Sequence, residues 1–355
     1  MGVYAYYDTN TDSVLYHVVP SPQLTPSTIH SETESTSSGS TIESEDLPGY
    51  FVVHRGRQQP ANDNVIKWFP SDNIRRFIMQ YLVSKSIFGG DYVGPVKKLL
   101  APTGERQRQV LELGTKTGTW IQSMATQFPH VQFRTLDIVP VIPHVPRDNI
   151  VFEVYDFTEG ILLRDGSQDA VFLNIIIEMV KDYRTLLREV HRVLRPGGLI
   201  YINDYTPDFW DSSTPKSVAW RTNPRGCQLH SLVRQHVTSL GIDPDTCDKL
   251  PQWLAPDSEV WNESQTGFKD VTSVTRMYPG YPHDGFSCMD QVDAKMVPYI
   301  RYLAVTSMRD TCGLLEDIGL GNQDAERLVE DTIQELSSHK SCVLFKVFHI
   351  HAIKI

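Results

Sequence analysis

Glu112-Leu113-Gly114-Thr115-Lys116-Thr117-Gly118 follows Val110-Leu111 and leads into a helix-like stretch, residues 120–128. A short apolar run that ends in glycine before a helix reads as the first strand-to-helix turn of an α/β unit. Doubly wound folds bind nucleotides outside the carboxyl ends of their strands, at turns of this kind. Glycine admits positive φ and lets backbone approach a ligand, while helix N-terminal N–H groups face negative charge. The NAD fingerprint G-x-G-x-x-G is not met, because Lys116 and Thr119 hold its second and third glycine positions. Nor does Lys116 have the spacing of a P-loop lysine.

Outward from this turn, strands and helices alternate. Asp137 stands 23 residues after Gly114, at the end of the next strand, residues 131–137. A carboxylate there can accept both ribose hydroxyls of an adenosine. Asp156-Phe157 closes the next strand, residues 150–155, and offers an acceptor for an adenine amino group beside an aromatic face. Residues 170–177 are almost wholly apolar, as in a strand buried on both faces. Residues 181–194 place Tyr183, Leu186, Leu187, Val190 and Leu194 on one helical face, Pro196-Gly197-Gly198 stops that helix, and residues 199–203 read as a strand. Such alternation implies a parallel sheet with right-handed crossovers.

With these motifs in strand order, the chain resembles the class I S-adenosylmethionine-dependent methyltransferases. Glu112, Gly114 and Gly118 match the first motif, acidic-x-Gly-x-Gly-x-Gly; Asp137 matches the ribose acid and Asp156 the adenine-side acid. Val180-Lys181-Asp182-Tyr183, Leu187-Arg188-Glu189 and residues 192–198 look like the LaeA-like fungal branch, as do Gly89-Gly90 with Tyr92 and Gly267-Phe268. The resemblance implies a Rossmann-like sheet of order 3-2-1-4-5-7-6, its last strand antiparallel, with S-adenosylmethionine as cofactor. It implies a cofactor set of Tyr92, Glu112, Gly114, Lys116, Gly118, Asp137, Ile138, Asp156, Phe157 and Asn174. One departure stands out: Lys116 replaces the middle glycine of the first motif. Its ammonium points to solvent, pairs with the cofactor's carboxylate, or crowds the site.

The resemblance covers about Tyr50 to the C-terminus, and the stretch before it is read from its own composition. Residues 1–20 read as a β-hairpin, 21–48 as a disordered linker and 49–100 as a helical cap. A cofactor-binding core covers 101–204, a cap insertion 205–266, and strands six and seven with intervening helices 267–355. In the linker, residues 21–47 hold thirteen Ser or Thr, five acids and no Lys or Arg, too little apolar area to offset ordering entropy. Residues 72–88 set Ile74, Phe77, Ile78 and Tyr81 on one helix face.

Apolar walls with a few polar groups make small-molecule pockets, and the aromatic-rich flanks supply them: Tyr205, Phe209, Trp210, Tyr281 and Phe286. The expected acceptor is a small aromatic hydroxyl. A phenol has a pKa of about 10 and gains from a nearby base. The candidates are His283, His230 and Asp204, in that order. His349-x-His351 has no third ligand within sequence reach and reads as sheet surface, so no metal is expected.

The 355 residues carry 33 basic and 43 acidic side chains, net −10, which disfavours a phosphate-backbone partner. No apolar run approaches the ~20 residues of a membrane span. Five scattered cysteines without a C-x-x-C speak against both a disulfide framework and a zinc site, and for a reducing, cytoplasmic setting. A second reading, a LaeA-like regulator working through protein partners, would place the chain in the nucleus, and the acidic Ser/Thr-rich stretch would suit docking.

Overall fold

The computed structural model describes residues 2–8, 13–19, 40–42, 47–104, 106–142, 147–212, 217–338 and 342–355. In chain order, β1 (Gly2–Asp8) pairs antiparallel with β2 (Ser13–Val19), and β3 (Ser40–Ile42) pairs with β2. Apart from β3 and residues 47 and 48, the expected linker lies outside the described residues. A short hairpin, β4 (Phe51–His54) and β5 (Arg57–Pro60), precedes α1 (Ile74–Phe88) and α2 (Val96–Leu99). The alternating core follows: β6 (Arg108–Leu113), α3 (Thr119–Gln127), β7 (Val131–Asp137), β8 (Ile150–Val154), β9 (Gln168–Asn174), α4 (Tyr183–Val193) and β10 (Leu194–Asp211). Then come α5 (Pro224–Ser239), α6 (Thr246–Leu254), β11 (Phe268–Pro279), α7 (Val297–Asp310), α8 (Cys312–Asp317), α9 (Asn322–Ser337) and β12 (Val343–Lys354).

Period-two alternation along the central strands feeds two cores, one on each face of the sheet. Leu111, Leu113, Val171, Leu173, Ile200 and Ile202 meet Leu186, Leu187 and Val190 of α4. Val110, Phe133, Ala170, Phe172 and Leu199 meet Ile121 and Met124 of α3 on the other face. Strands β8-β7-β6-β9-β10 run parallel, and β12 lies antiparallel between β10 and β11. This is the 3-2-1-4-5-7-6 order with its antiparallel last strand. Strands β1, β2 and β3 extend the same sheet beyond β8.

Several expectations are corrected. Cys288 and Cys342 form a disulfide, which counts against the expected reducing setting; sequence spacing carries no sign that residues 54 apart meet. His349 and His351 are buried rather than on a sheet surface, because α1 lays Phe88 over the His349 ring and Tyr201 lies against both. In α1 the buried residues are Arg76, Phe77, Met79 and Val83, whereas Ile74 is 36% exposed. Apolar periodicity misses Arg76 because its charge is met inside the protein, by Asp310 at 2.9 Å.

Candidate active site

The turn after β6 is pinned from below. Gly114 donates its N–H to the Leu136 carbonyl at 2.9 Å and has φ +93°. A Cβ there would lie 2.6 Å from the Asn174 carbonyl oxygen, so only glycine lets β6 and β9 close up at this edge. Glu112 lies beneath, accepting from Thr135 Oγ1 at 2.6 Å and Asn174 Nδ2 at 2.8 Å. Burial pushes its carboxyl up to about 8, with the Asp137 charge adding to the effect. Glu112 and Asn174, expected at the cofactor, thus bond to each other inside the sheet and hold the turn.

At the rim, Asp137 accepts the Lys116 N–H at 2.6 Å on Oδ2 and the Ile138 N–H at 2.7 Å on Oδ1. Burial raises its pKa and the two N–H groups oppose that. Asp156 is engaged by Asn62 Nδ2 at 2.6 Å and by the Thr158 N–H and hydroxyl. Two expected cofactor contacts are displaced. Phe157 is fully buried in the core, and Tyr92 packs on Phe128 in the layer of α3. Gly118 is the αL cap that starts α3.

Lys116 points inward. Its own φ is +49°, and Nζ donates to the Ile175 carbonyl at 2.8 Å while standing 3.9 Å from Glu178 Oε2 and 5.4 Å above the Phe77 ring. Burial lowers its pKa and Glu178 opposes this. Ile175 itself has φ +53°, a costly conformation for a β-branched side chain. Two strained residues are therefore joined by one hydrogen bond, and of the two it is Lys116 that lines the crevice beneath. Its other walls are Trp68 and Phe69 with Asp137, Ile138 and Met179, and it holds only about 50 Å³ of space for water-sized spheres.

A second, larger space adjoins it. The chamber between α1, α5, α7 and the ends of β10 and β12 holds about 150 Å³ on the same measure and is mostly apolar. Trp68 and Phe69 line both spaces. Arg76, Ile175, Asp204, Tyr205 and His230 face the chamber. The two are stitched together through Lys116 to Ile175 and through the Tyr205 hydroxyl, which donates to Glu178 Oε1 at 2.9 Å.

Two of the three candidate bases line this chamber. Asp204 Oδ2 accepts the Ile176 and Ile177 N–H groups at 3.1 and 3.0 Å, and burial pushes its pKa up to about 7, with the Glu178 charge adding. His230 is buried, and burial with the Arg234 charge pushes it down to about 4, so the ring is neutral at pH 7. His283, the first choice, is turned away: its Nε2 pairs with the Leu336 carbonyl at 2.6 Å and its ring packs among Tyr281 and Phe286. It fastens the loop after β11 to the end of α9.

Of the expected acceptor walls, only Tyr205 lines the chamber. Phe209 packs behind it against His230 and Phe345. Trp210 and Phe286 pack around the disulfide, and the Arg301 guanidinium lies over Tyr281. Strict alternation would set Tyr205 and Phe209 on one face of β10, but the pairing with β12 shifts register between Thr206 and Trp210, and that irregularity turns Phe209 into a different layer. Sequence reasoning missed Asn62, Trp68, Phe69 and Arg76. The one signal was Trp68-Phe69-Pro70, a bulky pair immediately before a helix.

Residues 90–238 match the model of a methyltransferase domain. Over 257 residues the chain is 25% identical to the secondary metabolism regulator laeA of Coprinopsis cinerea, covering 70% of this chain and 60% of that protein. Over 181 residues it is 25% identical to the methyltransferase pytC of Aspergillus terreus, covering 49% of each. The chain thus spans about half to three fifths of these relatives' lengths. A Haemonchus contortus phosphoethanolamine N-methyltransferase 2, solved with phosphomonomethylethanolamine and S-adenosylhomocysteine, superposes with a TM-score of 0.41 at 16% identity, over 80% of this chain and 57% of that one.

Proposed function

We propose, from the match of residues 90–238 to a methyltransferase-domain model, that the protein transfers a methyl group from S-adenosylmethionine to a small aromatic hydroxyl. When bound, the cofactor supplies a methyl group already activated on a sulfonium. The acids at the rim suit an adenosine: Asp137 stands at the end of β7 and Asp156 at the next strand end. Room is the constraint, since the Lys116 side chain crosses the crevice; its flexible four-carbon stem must swing aside.

The observation that carries the reading is the apolar chamber beside the crevice, with Trp68 and Phe69 common to both. An acceptor seated there is held against the donor's side and kept from water, and positioning of that kind supplies several kcal/mol, on the order of 7–11 at best. His230, neutral and facing the chamber, takes the phenolic proton as a weak base, since burial holds it at about 4, and positioning carries most of the rate. Asp204 holds the strained 175–177 turn through its backbone contacts.

The test is incubation of the pure chain with S-adenosylmethionine and a panel of phenols, read by mass spectrometry for addition of one methyl group. Turnover without a partner protein supports the enzyme. A chain that binds S-adenosylhomocysteine yet methylates no phenol favours the second reading, a regulator acting through protein partners, which the similarity to laeA supports.

A further inference from the structure

Arg76 is 1% exposed and stands at the apolar chamber, its guanidinium 4.3 Å above both the Phe69 and Phe77 rings. Asp310 neutralises one side, through Nε at 2.9 Å. Asp310 is shared, however: Arg57 Nη1 reaches it at 3.0 Å and Asn73 Nδ2 at 2.7 Å. Arg76 Nη2 is buried without any hydrogen-bond partner, and the residue lines the apolar chamber. One turn further along α1, Gln80 also lines the chamber and its Oε1 is buried without a partner. Residues four apart share a helix face.

A buried guanidinium N–H left unpaired is costly, and a planar fork of donors matches a carboxylate better than any neutral group. The rest of the chamber is mainly carbon. Asn203, Asp204 and His230 reach it from β10 and α5, and Ser84 of α1 is already paired with Asn203 at 3.3 Å. A cavity needs about 10–15 Å³ on this measure to hold a water, so 150 Å³ suits a ligand of roughly ten heavy atoms.

We infer that the acceptor is an aromatic acid: its carboxylate docks on Arg76 Nη2 and the Gln80 amide, and its ring fills the chamber. The amide of Gln80 turns over to donate its NH₂ group, since both orientations of such a group are open to it. This rests on the chamber being the acceptor site, as proposed above, and it adds the chemical class that the site selects. Arg76 is thereby a specificity residue, in contact with substrate and taking no part in bond making.

The probes are 4-hydroxybenzoate and 4-hydroxybenzamide, equal in size and differing in one charge. Titration calorimetry at pH 8 on the full chain reads binding alone, without the methyl donor. The acid is expected to bind at least tenfold more tightly than the amide. Arg76→Met is expected to abolish that preference, and Arg57 and Asn73 still cover Asp310 in this variant. Gln80→Leu, remote from the ion pair, is expected to weaken the acid several-fold while the melting temperature stays put, which separates recognition from folding. Equal affinity for the two probes, no binding of either at millimolar concentration, or an acid preference that survives in Arg76→Met overturns the inference. An Arg76-dependent acid preference without methylation of any hydroxylated aromatic acid upholds it and overturns the proposed reaction.

Discussion

His230 and Asp204 face the same chamber and titrate about three pH units apart, at about 4 and about 7. That gap makes the proton acceptor identifiable. With His230 as base, kcat stays level from pH 8 down to about 5, because burial keeps the imidazole neutral below its ordinary 6.5. A half-maximal rate near pH 7 would instead assign the role to Asp204. Lys116 poses a question of sign at the same scale. Its ammonium holds the Ile175 carbonyl and faces Glu178, contacts a cofactor must displace. A charge-assisted hydrogen bond is worth about 1.5–3 kcal/mol, so Lys116→Gly should bind S-adenosylhomocysteine about tenfold more tightly or better. The φ of +49° at Lys116 favours the same replacement. Weaker binding in a calorimetric titration would mean that the ammonium grips the cofactor's carboxylate.

Elements differed in how openly the sequence announces them. Strands β6, β7 and β9 and helix α4 are legible because burial on one or both faces imposes a clean apolar period, and the glycine turn and Asp137 are legible because they sit at fixed strand ends. The roof is not. Residues 61–73 adopt no long helix or strand, so no period marks Trp68 and Phe69, and a buried Arg76 imitates a solvent-facing residue until Asp310 is seen beside it. Strand β10 outruns its apolar signal because β12 pairs with it as far as Asp211, and the register shift between Thr206 and Trp210 decides which of Tyr205 and Phe209 reaches the chamber. Helix α5 depends on a void in its own first turn: a Cβ at Gly226 would meet the Phe209 ring at 2.2 Å. Alanine normally favours a helix over glycine by about 1 kcal/mol. Here Gly226→Ala is expected to cost about 1–3 kcal/mol through overpacking, measured by urea denaturation.

For the molecule as a whole, buried ionisable groups of two kinds set the pH of greatest stability. Glu112 and Asp204 titrate at about 8 and about 7 in the folded chain, above their unfolded values of about 4. Their contribution is intact below pH 4 and drains away as pH rises through 7 to 8. His191, His230 and His349, at about 4, 4 and 3, lie below the unfolded 6.5. Their contribution is intact above pH 6.5 and is lost on acidification towards 4. Melting temperature should therefore peak near pH 6 to 6.5, and Glu112→Gln should flatten the decline between pH 7 and 8; an unchanged decline would place its cause elsewhere. The disulfide adds a separate term. Closing a loop of 54 residues is worth about 4 kcal/mol against the reduced chain, on the chain-entropy account.

Trp68 and Phe69 belong to two rooms at once. Whatever enters one of them leans on a partition that the other shares, so the two ligands cannot bind independently. Thermodynamic reciprocity then fixes the bookkeeping: if S-adenosylhomocysteine sharpens the affinity for an aromatic acid by some factor, the acid sharpens the affinity for S-adenosylhomocysteine by that same factor. Cross-titration should return equal ratios different from one, and Trp68→Ala should bring both to one. Substrate order in turnover would follow from the partition, with donor first and acceptor second, since an indole pushed aside by the nucleoside reshapes the space into which the ring must fit.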